Sequence, residues 1–246
     1  LLGPEVIEFT KRYGAYCDAK YAVATSNGTI SLELILRSLN IGRGDEVIIP
    51  TYTFVATASA VTFVGATPIF ADTDESTYNI DPKSIEEHIT ASTKAIIAVH
   101  VGGRPCDMDE LLKIAKKNDL YLIEDAAQAH GSEWKGTRVG AIGDVGSFSF
   151  QASKNLSCGE GGAVVTNNEE IYHNVWSIHH CGREFGNDSN YNHPILGTDA
   201  RMSEWQAAIL NQQMNRLDAD TEKRMSNAKY LTQRLQELDF IETLYD

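Results

Sequence analysis

A single lysine, Lys154, closes the stretch Ser147-Phe148-Ser149-Phe150-Gln151-Ala152-Ser153-Lys154, and Asn155-Leu156-Ser157-Cys158-Gly159-Glu160-Gly161-Gly162 follows at once. The pattern is an apolar strand running into a turn of small residues and glycines. A lysine held there with its amine buried loses its proton, because desolvation disfavours the ammonium form, and the free amine attacks carbonyls. Schiff-base chemistry requires such an amine. Taken alone, the same lysine can simply face water at the end of a strand.

Three further groups sit where predicted strands end, and in open α/β sheets ligands bind at the carboxyl ends of strands. Ser26-Asn27-Gly28-Thr29 joins a strand to a helix. Free backbone N–H groups at the positive end of a helix dipole make an anion cradle, although Asn27 or Thr29 can equally be an ordinary N-cap. Glu124-Asp125-Ala126-Ala127-Gln128-Ala129-His130-Gly131 ends a buried strand in carboxylates that need partners. A protonated ring nitrogen is one such partner, and the flanking alanines leave room for a flat ligand. His130 reads as structural. In Thr51-Tyr52-Thr53-Phe54-Val55-Ala56-Thr57, Phe54 or Tyr52 can stack on a planar group, or Phe54 can be core. Ser149, five residues before Lys154, offers a hydroxyl to the same anion. A phosphate cradle, an aromatic face, an acid and an amine together describe a pyridoxal phosphate site.

These groups need a scaffold that delivers strand ends to one edge. Short β-rich runs alternate with helical patterns, the signature of an α/β fold with a mainly parallel sheet. Strands are predicted at Tyr21–Ala24, Val47–Ile49, Thr67–Phe70, Lys94–Val99, Tyr121–Ile123, Val145–Phe150 and Ala163–Val165. Helices are predicted at Pro4–Tyr16, Ile30–Leu39, Phe54–Val64, after Asp81-Pro82, over Met108–Lys117, and from Glu204 to about Leu238. The 246 residues suit one large domain or a domain and a half. With 34 acidic and 21 basic residues the net charge is −13, which argues against a nucleic-acid or anionic-lipid surface. Cys17, Cys106, Cys158 and Cys181 show no metal-ligand spacing and read as reduced thiols of a cytoplasmic protein. No apolar run approaches the roughly 18 residues of a membrane span. The chain begins at Leu1 and stops at Thr243-Leu244-Tyr245-Asp246 without a closing element, so it reads as a piece of a longer protein.

In its combination of Gly44-Asp45-Glu46-Val47-Ile48, Glu124-Asp125-Ala126-Ala127-Gln128 and Gly159-Glu160-Gly161-Gly162, the sequence resembles the DegT/DnrJ/StrS sugar aminotransferases, from about Gly3 to Ala208. The resemblance implies the large domain of a fold-type I pyridoxal phosphate enzyme, a mainly parallel seven-stranded sheet between helices. It assigns residues 1–210 to that domain and 211–246 to a helix leading toward a small C-terminal domain absent from this sequence. It implies that Lys154 forms the Schiff base and carries the proton, while Asp125 keeps the pyridine nitrogen protonated. Phe54 and Gln128 would flank the ring. Gly28, Thr29 and Ile30 would hold the phosphate through backbone N–H groups, helped by the hydroxyls of Thr29 and Ser149. It also implies a homodimer, an amino donor (glutamate or glutamine), and a nucleotide-linked keto sugar or keto cyclitol as acceptor, in amino-sugar, glycan or antibiotic biosynthesis.

The sequence departs from the family at Gly197-Thr198-Asp199-Ala200-Arg201-Met202, where an asparagine is usual in place of Asp199. An ionised Asp199 repels a phosphate, so either it turns away, Arg201 compensates, or this clamp on the phosphate is lost. Cys181-Gly182-Arg183 resembles the members that act on cyclitols or make aminobenzoate precursors. A sugar dehydratase is the first alternative, but those relatives carry histidine where Lys154 stands. A non-catalytic sensor with the same fold is the second. A plain nucleotide-binding domain is the third, and no Gly-x-Gly-x-x-Gly follows the first strand.

Overall fold

Seven short, mainly apolar runs become one sheet in the computed structural model, which describes residues 2–186 and 191–244. The strands are β1 (Tyr21–Thr25), β2 (Glu46–Pro50), β3 (Thr67–Ala71), β4 (Thr93–Val99), β5 (Tyr121–Asp125), β8 (Val145–Ser149) and β9 (Gly162–Thr166), with a small hairpin of β6 (Glu133–Trp134) and β7 (Thr137–Arg138) outside the sheet. Their order is β1-β9-β8-β5-β4-β2-β3. Pairings β2–β3, β2–β4, β4–β5 and β5–β8 are parallel, whereas β9 runs antiparallel to both β8 and β1.

The helices are α1 (Pro4–Tyr16), α2 (Gly28–Ser38), α3 (Ala56–Phe63), α4 (Pro82–His88), α5 (Met108–Asn118), α6 (Glu169–His179), α7 (Glu204–Met214) and α8 (Leu217–Leu235). They cover both faces of the sheet. Alternation along a strand sends Val47 and Ile49 to the core beneath α2, α3 and α6, and Ile48 to the core beneath α4 and α5. Phe9, Tyr13, Phe148, Phe150 and Leu210 fill the core under α1 and α7. None of the helices described is long and apolar enough to cross a membrane.

Three helix boundaries differ from the sequence reading. Helix α2 begins at Gly28 rather than Ile30, because Asn27 caps it. Helix α3 begins at Ala56, which leaves Phe54 and Val55 in the preceding turn. The predicted helix from Glu204 breaks at Asn215–Arg216 into α7 and α8, so the 210/211 division falls inside α7. Tyr245 and Asp246, the end of the expected connecting segment, lie outside the described residues.

Helices α1 and α7 are clasped by charge. The Glu204 carboxylate accepts the N–H groups of Glu5 and Val6 at 3.0 Å each, at the open N-terminus of α1. A Cβ on Gly3 would stand 2.4 Å from that carboxyl carbon, so a larger residue there would displace the Glu204 carboxylate. Glu204→Ala should therefore cost about 1 kcal/mol and lower Tm by a few degrees, readable by thermal unfolding.

Candidate functional site

The carboxyl ends of β4, β5 and β8 converge with the N-terminus of α2 and the turn before α3 on a cleft of about 740 Å³. Gly28, Thr29, Ile30, Phe54, Asp125, Gln128, Ser149 and Lys154 all line it. Residues from four separate strand ends and turns are thus brought together at one edge of the sheet.

At the head of α2, Asn27 Oδ1 accepts the Ile30 N–H at 2.9 Å. Ile30 lines the cleft, but its amide is already engaged by that cap. The amides of Gly28 and Thr29 donate to no acceptor among the described residues, and they sit at the positive end of the helix dipole. Asn27 therefore caps the helix, and two amides stay open. A Cβ on Gly28 would come within 2.8 Å of the Ser149 Cβ, so glycine is what lets α2 approach β8.

The two carboxylates that end β5 point to opposite faces, as period-2 geometry demands. Glu124 is fully buried and takes N–H groups from Gly140 (2.7 Å), Ile142 (2.8 Å) and Gly143 (2.7 Å), and the His100 ring at 3.0 Å. His100 Nδ1 in turn accepts the Cys106 amide, so its single ring proton goes to Glu124. Glu124 is a structural anchor. Asp125 faces the cleft. Its Oδ2 accepts from the Thr57 hydroxyl at 2.9 Å and its Oδ1 from the Ala127 N–H at 3.2 Å. Burial pushes the Asp125 carboxyl above the usual carboxylate range, while the Thr57 and Ala127 hydrogen bonds and the nearby Lys154 charge pull it back.

His130 is buried, and burial lowers its imidazole to about 4. A neutral ring has one N–H. The Ser149 carbonyl, 2.9 Å from Nε2, takes it, so Nδ1 accepts from the Tyr13 hydroxyl at 2.8 Å. This agrees with the structural reading of His130. Phe54 is not core: 70% of it is exposed, at the cleft wall. Gln128 Oε1 is pinned by the Gly102 N–H at 2.7 Å.

Lys154 differs from the expectation of a buried amine. It is half-buried, in a turn held by its own N–H on the Gln151 carbonyl and by Gln151 Oε1 accepting from Ser153. Gln151, Ser153, Thr53 and Glu160 also line the cleft, and sequence reasoning gave them no role there. Thr57 also escapes the sequence reading, because the acid its hydroxyl meets lies 68 residues away in the chain.

Asp199 pairs with Arg201 at 2.7 Å, and Arg201 also reaches His180 Nδ1 at 3.0 Å. Asp199 is thus paired with Arg201, and neither residue lines the cleft. The Arg183 guanidinium lies over the Tyr191 ring, 5.2 Å from its centroid, also outside the cleft. Among the described residues no cluster of His, Cys, Asp or Glu could hold a metal ion.

This topology, with its ligand cleft at the carboxyl ends of the parallel strands, is that of the large domain of a fold-type I pyridoxal phosphate aminotransferase. The sequence model of the DegT/DnrJ/EryC1/StrS aminotransferase family matches residues 1–245, and the chain belongs to that family. A Micromonospora echinospora protein, provisionally named L-glutamine:3-amino-2,3-dideoxy-scyllo-inosose aminotransferase, is 43% identical over 94% of this chain and 55% of its own length. The dTDP-3-amino-3,6-dideoxy-alpha-D-galactopyranose transaminase of Aneurinibacillus thermoaerophilus is 43% identical over 96% of this chain and 64% of its own. DesV of S. venezuelae, solved in complex with a ketimine intermediate, superposes with a TM-score of 0.85 at 42% identity, over 89% of this chain and 58% of that one. The chain therefore spans between about half and two thirds of the length of these relatives.

Proposed function

We propose that this chain is the cofactor-binding part of a pyridoxal phosphate-dependent aminotransferase. It would move an amino group from glutamate or glutamine to a keto cyclitol or a nucleotide-linked keto sugar. The observation that carries the reading is the meeting of Lys154, Asp125 and the open amides of Gly28 and Thr29 in one cleft. Those residues fit the cofactor: two unengaged amides at a helix N-terminus suit a phosphate, and a carboxylate sunk in the floor suits a pyridinium N–H. The similarity to named sugar and cyclitol aminotransferases supports the acceptor class.

When bound, the cofactor supplies an electrophilic carbonyl and an electron-withdrawing ring. Gly28 and Thr29 would hold the phosphate by their amides, helped by the Thr29 and Ser149 hydroxyls, and Ile30 would line the wall beside it. Asp125 would accept the pyridine N–H and, by staying ionised, keep that nitrogen protonated. Phe54 and Gln128 would flank the ring. Lys154 Nζ would supply the amine and carry the proton. Lys154 is the only cation among the cleft-lining residues, which supports a homodimer in which a second copy helps neutralise the phosphate. The four free thiols and the small-molecule chemistry support a cytoplasmic enzyme.

The test is an absorbance spectrum of the protein with added pyridoxal phosphate, before and after glutamate or glutamine. A lysine-linked cofactor band that converts to the pyridoxamine form supports the reading. A band that ignores both donors rejects them as donors, and no band at all favours a non-catalytic sensor. Phe54→Ala should leave Tm nearly unchanged, because the ring is 70% exposed, and weaken cofactor binding about 10-fold by titration.

A further inference from the structure

Two threonines precede and enter α3 one helical turn apart, and both hydroxyls are committed. Thr53 Oγ1 and Thr57 Oγ1 are 2.8 Å apart, and Thr57 Oγ1 is 2.9 Å from Asp125 Oδ2. Thr57 is fully buried, whereas Thr53 is half-buried and lines the cleft. An ionised carboxylate only accepts, so the single Thr57 proton points at Asp125, and Thr53 is the donor to Thr57. The bonding runs one way, from Thr53 to Thr57 to Asp125. A helical threonine more often bonds the carbonyl four residues back. Thr62 on the same helix does so, reaching the Ala58 carbonyl at 3.0 Å. Thr57 instead reaches across to another element.

We propose that Thr57 is a positioning residue that orients the Asp125 carboxylate toward the cleft, with Thr53 as its own support. This rests on the reading of Asp125 as the partner of the pyridine N–H. Thr57 and the Ala127 amide hold one oxygen each, which fixes the carboxylate plane from two sides. The charged and titratable groups that face Asp125 are Lys154, from the turn after β8, and His100, at the end of β4, whose ring proton is given to Glu124. Helix α3 offers Asp125 no charge, only the Thr57 hydroxyl.

The consequence is a pH signature. A hydrogen bond to the charged form favours ionisation, so its loss raises the Asp125 pKa. The ionised form is the one required. Activity is present above that pKa and fails as pH falls through it, so removing Thr57 moves the acid limb to higher pH. For a hydrogen bond to a charged group the shift is about one pH unit or more.

The experiment compares wild type, T57V, T57S and D125N as the full-length protein reconstituted with pyridoxal phosphate. It reads the pH dependence of kcat, the nitrogen chemical shift of bound 15N-labelled cofactor, and Tm. We expect T57V to move the acid limb upward, and the acid-side change in the nitrogen shift of the bound cofactor to move upward with it, with T57S close to wild type. A T57V protein with the wild-type limb and nitrogen shift, beside an inactive D125N, overturns the proposal and leaves the aminotransferase reading standing. A fully active D125N overturns both. Should T57V not fold, Thr53→Val is read in the same way at the half-buried end of the chain of bonds, and an unmoved limb there overturns the proposal.

Discussion

Replacing Lys154 by alanine is expected to abolish amine transfer, with kcat lowered by at least about 10³-fold, while Tm stays close to that of wild type. The residue carries two duties in the proposed reaction, covalent attachment and proton transfer, and alanine can perform neither. Stability should barely change. The side chain is half-buried, and its amine has no hydrogen-bond or ion-pair partner among the described residues, so truncation orphans nothing. The turn itself is held by other groups: Ala152 donates to Gly159, the Lys154 backbone donates to Gln151, and Gln151 Oε1 gathers Ser153. One side effect follows from charge. Lys154 lowers the Asp125 carboxyl, so its removal lets Asp125 drift further up and weakens cofactor binding. Steady-state kinetics, the visible band of the lysine-linked cofactor, and a melting curve on one preparation separate these effects. A variant with substantial turnover would sink the assignment of Lys154.

The fold was legible because each strand is a short apolar run with clear punctuation, such as Val47-Ile48-Ile49 before Pro50. The gathering of Gly28, Thr29, Asp125, Ser149 and Lys154 followed from one rule, that ligands sit at the carboxyl ends of parallel strands, whereas Ile30 and Gln128 came from the family resemblance. What escaped was three-dimensional. Nothing local to Thr57 says that its hydroxyl meets an acid 68 residues away. Lys154 sits at the end of an apolar strand, yet the turn that follows lifts it toward the surface, so the desolvation expected for its amine is only partial. The engaged Ile30 amide was hidden because one turn serves both as a cap and as an open helix end. Other features were readable in principle. Period-2 geometry alone separates Glu124 from Asp125. The return from Ser149 to Gly162 carries no helix, the usual crossover between parallel strands, which favours the antiparallel β9. Helix α6 also had its signals, an Asn168 cap followed by Ile171, Val175 and Ile178 on one face.

Glu124→Ala is expected to be among the most damaging single changes to the fold, costing about 3–5 kcal/mol and lowering Tm by about 10 °C. The carboxylate is buried at 0% exposure and accepts four N–H groups. Removing it strands three backbone donors in the Gly140–Gly143 segment and the His100 ring proton, each without water to replace the lost acceptor. Glutamine is no remedy. Oε1 serves Ile142 and Gly143, and Oε2 serves Gly140 and His100, so either orientation of the amide turns its NH2 toward two donors. Damage at the anchor should also reach the cleft, because Glu124 fixes the strand end that carries Asp125 and the segment that leads into β8. Cofactor affinity should therefore fall with stability, in contrast to Lys154→Ala, where chemistry is lost and the fold is kept. Thermal unfolding of the cofactor-free protein reads the stability cost directly. An E124A melting point within about 2 °C of wild type would mean that the segment finds other acceptors, and that Glu124 does not hold this edge of the site.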